Sequence, residues 1–165
     1  MAKAALQHEG RGMKLYFFRH AHADWPDWSG ADDERPLTKK GRKQARRMAK
    51  FLGKICACPA VILSSPLPRA FQTAQIAADC LGLGLKEEPT LAKGFDLAGL
   101  RTILKRSKAE ELMLVGHEPD FTRVIEKLTG GRVKLAKSGV ARIDLESRAG
   151  AGTLAWLVSP KCLRH

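Results

Sequence analysis

Long apolar runs are missing from this sequence. None approaches the roughly 18 consecutive residues that a membrane-spanning helix needs. The N-terminal MAKAALQHEGRG has no apolar core of about 7–15 residues, so no secretory signal is expected and the cytoplasm is the expected compartment. Aromatics make up only 6%, and none interleave with a basic run, which weighs against a stacking platform for single strands. The four cysteines, Cys56, Cys58, Cys80 and Cys162, lack zinc-knuckle spacing. Cys56-Ala57-Cys58 has one intervening residue instead of two, and no histidine pair completes a set. They read as buried or idle thiols. No phosphate-binding glycine loop and no carboxylate metal motif is present. Acid is short as well: 17 Asp+Glu face 29 Lys+Arg, a net charge of +12. That balance suits phosphate-bearing or otherwise acidic partners, and leaves nucleic acid, an acidic protein and a phosphorylated substrate open.

What is present describes a globular domain. The 165 residues are 44% apolar and 28% charged, ordinary values for a single packed core. Residues 1–12 read as a flexible leader and 13–165 as one domain, with Met13, at the edge of the first apolar run, a candidate start. Short apolar runs then alternate with helical patterns. Leu15 to Phe18, Ala60 to Ser64 and Leu112 to Val115 read as buried strands. Thr38 is a candidate N-cap for a helix burying Leu37, Gly41, Ala45, Met48, Ala49 and Leu52 and stopping at Gly53. Pro68 can open a second helix, ended by Gly82 and followed by a short edge strand over 83–86. Asp96 and Asp120 are candidate caps for two more helices, the last ended by Gly130-Gly131. Val140 to Leu145 and Thr153 to Val158 read as a terminal strand pair joined by a turn. The pattern predicts an α/β three-layer sandwich, a largely parallel central sheet with helices on both faces. In such folds ligands bind beyond the carboxyl ends of the strands.

The strand ends therefore matter. After LYFF comes Arg19-His20-Ala21-His22; after AVIL comes Ser64-Ser65-Pro66-Leu67-Pro68-Arg69; after LMLV comes Gly116-His117-Glu118-Pro119. The fold would gather Arg19, His20, Arg69 and His117 at one rim, where a phosphoryl group relieves their mutual repulsion. Arginine offers planar, multidentate donors to phosphoryl oxygens. Histidine titrates near neutrality and serves as nucleophile or as acid-base group. Flanking cations should hold His20 neutral and nucleophilic at pH 7.

These stretches resemble the histidine phosphatase superfamily, whose folds include the phosphoglycerate mutases. Arg19-His20-Ala21 is similar to its Arg-His-Gly signature, with alanine for glycine. Ser64 to Ala74 resembles its Ser-(Ser/Asp)-Pro-Leu-x-Arg-Ala-x-Gln-Thr-Ala stretch. Gly116-His117-Glu118-Pro119 is similar to its Gly-His-x-Pro element, and Leu37 to Ala45 to its Leu-Thr-x-x-Gly-x-x-Gln-Ala helix start. The matches follow the right order from about Met13 to Leu145. The short chain resembles the SixA-type phosphohistidine phosphatases, because it lacks room for the insertions of the mutases and acid phosphatases.

The resemblance implies that His20 is the nucleophile and is transiently phosphorylated. It implies that Arg19, Arg69 and His117 hold the phosphoryl oxygens, with no metal or other cofactor required. Glu118 is the first candidate for general acid and Asp24 the second. His22 reads as a loop residue near the rim, and Ser64 and Ser65 as satisfying the turn backbone. Lys39 and Arg42 read as a solvated face, with Arg42 also a candidate for attracting an acidic substrate. The expected function is a phosphatase, with a phosphohistidine-bearing protein as the expected partner. The alternatives are a small-molecule phosphomonoesterase or mutase of the same superfamily and, more distantly, a basic nucleic-acid-binding module.

Overall fold

A computed structural model describes residues 12–164; the expected leader falls, except for Gly12, outside them. The order is strand β1 (Met13–Arg19), helix α1 (Lys39–Lys54), β2 (Ile62–Ser64), α2 (Pro68–Leu81), β3 (Leu85–Glu87), α3 (Leu97–Arg106), β4 (Glu111–Gly116), α4 (Asp120–Thr129), β5 (Val140–Leu145) and β6 (Gly152–Val158). Short 3-10 turns cover Asp32–Glu34, Pro89–Leu91 and Pro160–Leu163. The six strands form one sheet in the order β3-β2-β4-β1-β5-β6. The first four are mutually parallel, and β5 runs antiparallel to both β1 and β6.

Side-chain alternation along the strands builds the two cores. On one face Leu15, Phe17, Leu112, Leu114 and Ile143 pack against α3 and α4 through Leu100, Ile103, Phe121, Val124 and Ile125. On the other, Tyr16, Phe18, Ile62, Met113 and Val115 pack against α1 and α2 through Met48, Leu52, Ala70, Ala74 and Ala77. Burial on both faces is why these strands read as continuous apolar runs. Each fully buried leucine or phenylalanine adds roughly 1.5–3 kcal/mol relative to an exposed one. The expected three-layer α/β sandwich is the observed fold. No helix among the described residues is long and apolar enough to cross a membrane.

The expected caps hold at Thr38, whose side chain accepts from Gly41 N–H, and at Asp96, which accepts from Gly99 N–H. Gly82 and Gly130 end α2 and α4 in the left-handed conformation. Three local expectations change. The first helix runs past Gly53 to Lys54, and Cys56 takes the left-handed turn at φ 56°. Asp120 is the first residue of α4 and Pro119 its cap; the Asp120 carboxylate accepts instead from Gly94 N–H, 2.9 Å away. The four cysteines are free and exposed, none of them buried.

Candidate active site

The parallel strands β1, β2 and β4 end side by side, so the residues that follow them meet at one rim of the sheet. Arg19 pairs in register with Gly116 at the last step of the β1–β4 ladder. The main chain continues this pairing: His20 N–H donates to Gly116 C=O at 3.0 Å, and Ser65 N–H to Val115 C=O at 3.0 Å. A Cβ at Gly116 would lie 2.7 Å from the Phe121 ring, so glycine here lets Phe121 pack against this strand end.

His20 is 8% exposed. Its Nδ1 lies 2.8 Å from the Ala21 carbonyl oxygen, which can only accept. Nδ1 therefore carries the ring proton and Nε2 keeps its lone pair. Burial, opposed by the Ala21 hydrogen bond and reinforced by the charges of His117, Arg69 and Arg19, pushes the imidazole down to about 3. His20 is thus neutral at pH 7, with a basic nitrogen beside cations.

His117, 3% exposed, faces His20 with ring centroids 5.3 Å apart. Its Nε2 meets the Ser65 hydroxyl at 2.8 Å, and that oxygen also receives Leu67 N–H at 3.2 Å. Its Nδ1 is a buried nitrogen without a partner, and it carries the ring proton when the Ser65 hydroxyl donates to Nε2. Burial first, then the charge of Arg69, brings His117 down to about 4.

The two guanidiniums are anchored at one end and open at the other. Arg19 Nη1 donates to Leu135 C=O at 3.0 Å, and Arg69 Nη1 to Asp32 C=O at 2.9 Å. Both Nε atoms are buried and unpaired. Among the described residues, the buried side-chain nitrogens and oxygens without a partner are Arg19 Nε, Arg69 Nε, His117 Nδ1 and Ser138 Oγ. All four belong to segments meeting at this rim, where Ser138 N–H also donates to His20 C=O. Buried donors left open are costly. Two open arginine donors and an open imidazole nitrogen near one neutral imidazole fit an oxyanion.

Glu118 is half-buried beside Arg19, and both of its oxygens accept from Thr122: Oε1 from the backbone N–H at 3.2 Å and Oε2 from the hydroxyl at 2.8 Å. Burial raises its carboxyl above the usual carboxylate range despite these bonds. Asp24 is more exposed and is paired with Lys137, and with Arg35 at 3.5 Å. The Lys137 hydrogen bond holds Asp24 below the usual range, which leaves it a poor proton donor. His22 Nδ1 sits 2.8 Å from the Thr38 hydroxyl, and that hydroxyl also donates to His22 C=O at 3.1 Å. His22 thereby joins the loop after β1 to the cap of α1.

Several positioning residues lie inside the motif stretches or the loop after β1, but their partners are distant in sequence. Thr73 accepts from Ala21 N–H at 3.0 Å and donates to Arg69 C=O at 2.7 Å, tying the His20 loop to α2. Gln44 accepts from His22 N–H and Gln72 from Leu37 N–H. Asp32 places a carboxylate 3.6 Å from Arg69, shared with Arg35 and Lys93. Ser65, expected only to satisfy its turn, also touches His117. Trp25 and Trp28 stay 42% and 37% exposed and donate to loop carbonyls, of Pro36 and Ala31.

Beside this pocket, and continuous with it through Arg19, runs an open groove of about 830 Å³. His22, Asp24, Lys39, Lys40, Lys43 and Arg47 line one part of it, and Lys137, Lys161 and Arg164 another. Lys39, expected on a solvated face, is one of these lining residues. Arg42, the expected attractor of acidic substrate, is exposed on α1 but does not line the groove. One step from Lys43 rotates it about 100° around the helix.

The sequence model of the histidine phosphatase superfamily, branch 1, matches residues 15–96, a span that takes in Arg19, His20 and Arg69. An uncharacterized protein of Picosynechococcus sp. is 38% identical over 166 residues, 92% of this chain and 99% of its own. The phosphohistidine phosphatase SixA of Escherichia coli K12 is 28% identical over 155 residues, 90% of this chain and 94% of its own. A solved structure of the protein histidine phosphatase SixA complexed with tungstate is similar at a TM-score of 0.81 and 28% identity, covering 92% of this chain and 100% of that one.

Proposed function

Because the chain belongs to the histidine phosphatase superfamily, we propose that it is a phosphatase that takes the phosphoryl group from a phosphohistidine-bearing protein onto its own His20. The observation that carries the reading is the His20–Ala21 hydrogen bond of 2.8 Å, which fixes the ring proton on Nδ1 and leaves Nε2 free to attack. The open donors on Arg19, Arg69 and His117 support it, because three donors match the three equatorial oxygens of a transferring phosphoryl group. The SixA relative's tungstate, a tetrahedral oxyanion, agrees with that chemistry.

In the first step Nε2 of His20 forms a bond to phosphorus as the substrate's P–N bond breaks. The departing imidazole takes a proton from Glu118, whose carboxyl is raised by burial. In the second step water attacks phospho-His20, Glu118 takes back a proton, and the Nε2–P bond breaks to release inorganic phosphate. The arginines and His117 offset negative charge on the oxygens throughout.

Incubation with a phosphohistidine-bearing protein beside a panel of sugar, serine and nucleotide phosphates tests this, wild type against His20→Ala. Wild type should clear phosphohistidine fastest, and His20→Ala should clear nothing. A sugar or nucleotide phosphate turned over at least as well would favour the small-molecule alternative. Turnover of no substrate by wild type would remove the phosphatase reading.

A further inference from the structure

We infer that the basic groove beside the pocket is the docking track for an acidic face of the phosphoprotein substrate, an inference that rests on the phosphoprotein reading above. The groove is walled on one side by Lys39, Lys43 and Arg47, which recur every four residues along α1. They form a stripe about 12 Å long at 1.5 Å per residue. Lys161 and Arg164, in the 3-10 turn after β6 and at its end, line the groove from a second element, and Lys137 adds a further cation. Arg19 belongs to both the groove and the candidate active site. A protein whose phosphohistidine reaches His20 past Arg19 brings its neighbouring surface over these cations.

The charge balance is one-sided. The acid in the groove lining is Asp24, and it is already taken by Lys137 and Arg35. The first turn of α1 carries no acidic residue, and Lys39 and Lys40 stand at its N-terminus. The helix dipole disfavours cations there, so these lysines add external field at the expense of helix stability. Lys39, Lys43, Arg47, Lys161 and Arg164 are all exposed. Small-molecule sites instead converge a few polar groups in a mostly buried, apolar-lined cavity. Exposed ammonium groups spaced over a helix length suit a partner that brings several carboxylates at matching intervals, and they steer its approach.

The test measures kcat/KM on two P–N substrates over a salt series. One is a phosphohistidine-bearing protein with an acidic surface and the other is inorganic phosphoramidate, which has no surface to dock. Lys39→Glu/Lys43→Glu/Arg47→Glu is compared with wild type and with Lys50→Glu/Lys54→Glu/Lys105→Glu. The latter makes the same charge change at exposed positions outside the groove. Thermal melts establish that each variant is folded; if the groove variant is not, Lys161→Glu/Arg164→Glu replaces it.

The expected result is a loss of more than tenfold on the phosphoprotein at low salt, carried by KM and shrinking as salt rises, with phosphoramidate turnover within twofold of wild type. The control variant should lose less than threefold. Equal losses on both substrates, or an unchanged phosphoprotein rate, would overturn the docking inference and leave the phosphatase reading standing. A single-stranded oligonucleotide that binds wild type and not the groove variant, with phosphoprotein turnover unaffected, would overturn it too. Failure of wild type on both P–N substrates would instead remove the phosphohistidine reading on which the inference rests.

Discussion

His20 and His117 come from strand ends nearly a hundred residues apart, yet their rings tilt toward each other at 55° with centroids 5.3 Å apart. Each ring has one nitrogen committed to a neighbour, His20 Nδ1 to the Ala21 carbonyl and His117 Nε2 to the Ser65 hydroxyl. The uncommitted nitrogens are His20 Nε2, which keeps its lone pair, and His117 Nδ1, which is a donor when the Ser65 hydroxyl donates to Nε2. In the proposed reaction they are the attacking atom and an oxygen partner for the phosphoryl group.

The first prediction is the site of covalent attachment. Because Nδ1 of His20 is held by Ala21, a trapped intermediate should carry phosphorus on Nε2. Rapid quench at alkaline pH followed by phosphorus NMR distinguishes the two isomers. A phosphoryl group on Nδ1, or on any other histidine, would refute the orientation argument. His20→Ala should show no label.

The second concerns pH. Both rings are held neutral by burial, His20 near 3 and His117 near 4, whereas in the unfolded chain they titrate near 6.5. Above pH 6.5 they are neutral in both states and stability is undiminished. As pH falls below 6.5 the unfolded chain takes up protons that the native state refuses, so stability is lost progressively toward pH 3–4. For His20 alone the loss is roughly 2–3 kcal/mol by pH 4.5. Denaturant midpoints at pH 7.5, 6 and 4.5 should fall in that order, and the fall should be smaller in His20→Gln. In the ligand-free protein the ring signals of both histidines should stay unmoved between pH 8 and 5.

Much of this was readable from the chain because it was local. LYFF, AVIL and LMLV are buried on both faces, so their apolar runs marked the strands. Thr38, Asp96, Gly82 and Gly130 cap helices through bonds to nearby backbone. The four basic residues followed from strand ends alone. What stayed hidden was set by distant segments. Asp120 looks like a cap, yet its carboxylate accepts from Gly94 N–H, and Asp32 meets Arg69 across 37 residues of chain. The second element lining the basic groove is the last described turn, and no pattern in sequence links Lys161 to Lys43. Arg42 lies one helical step from the groove-lining Lys43, and sequence spacing alone does not reveal which side of α1 faces the groove.

The third prediction uses Gly41. A Cβ at this position would lie 2.0 Å from the His22 carbonyl oxygen, a backbone atom that cannot rotate away. Thr38 holds that same carbonyl through both its N–H and its hydroxyl. Gly41→Ala must therefore push α1 off the loop that carries His20. Overpacking of this kind costs about 1–3 kcal/mol, a fall of roughly 2–12 °C in Tm for a chain of this size. The kcat should drop alongside, because Gln44 and Thr38 anchor the loop from the displaced helix. An unchanged melt would mean that the helix has freedom the packing does not suggest.

The last prediction separates chemistry from scaffolding at Glu118. Both of its oxygens accept from Thr122 at the start of α4, so the carboxyl is a structural tie as well as a proton source. Glu118→Gln keeps an amide oxygen for the Thr122 N–H but removes the acid. General acid catalysis is worth on the order of 10²–10⁴-fold when the leaving group is a poor one. An alkoxide is such a group. An imidazole is not, because its conjugate acid titrates near 6.5. Glu118→Gln should therefore slow serine- or sugar-phosphate cleavage about 100-fold or more, while phosphohistidine cleavage falls only a few-fold. Thr122→Ala removes the hydroxyl half of the tie, keeps the backbone N–H bond and leaves the acid in place, so it should cost stability and affect both substrates alike. If Glu118→Gln instead lowers both substrates equally and matches Thr122→Ala in its melt, the residue acts only through the helix it ties.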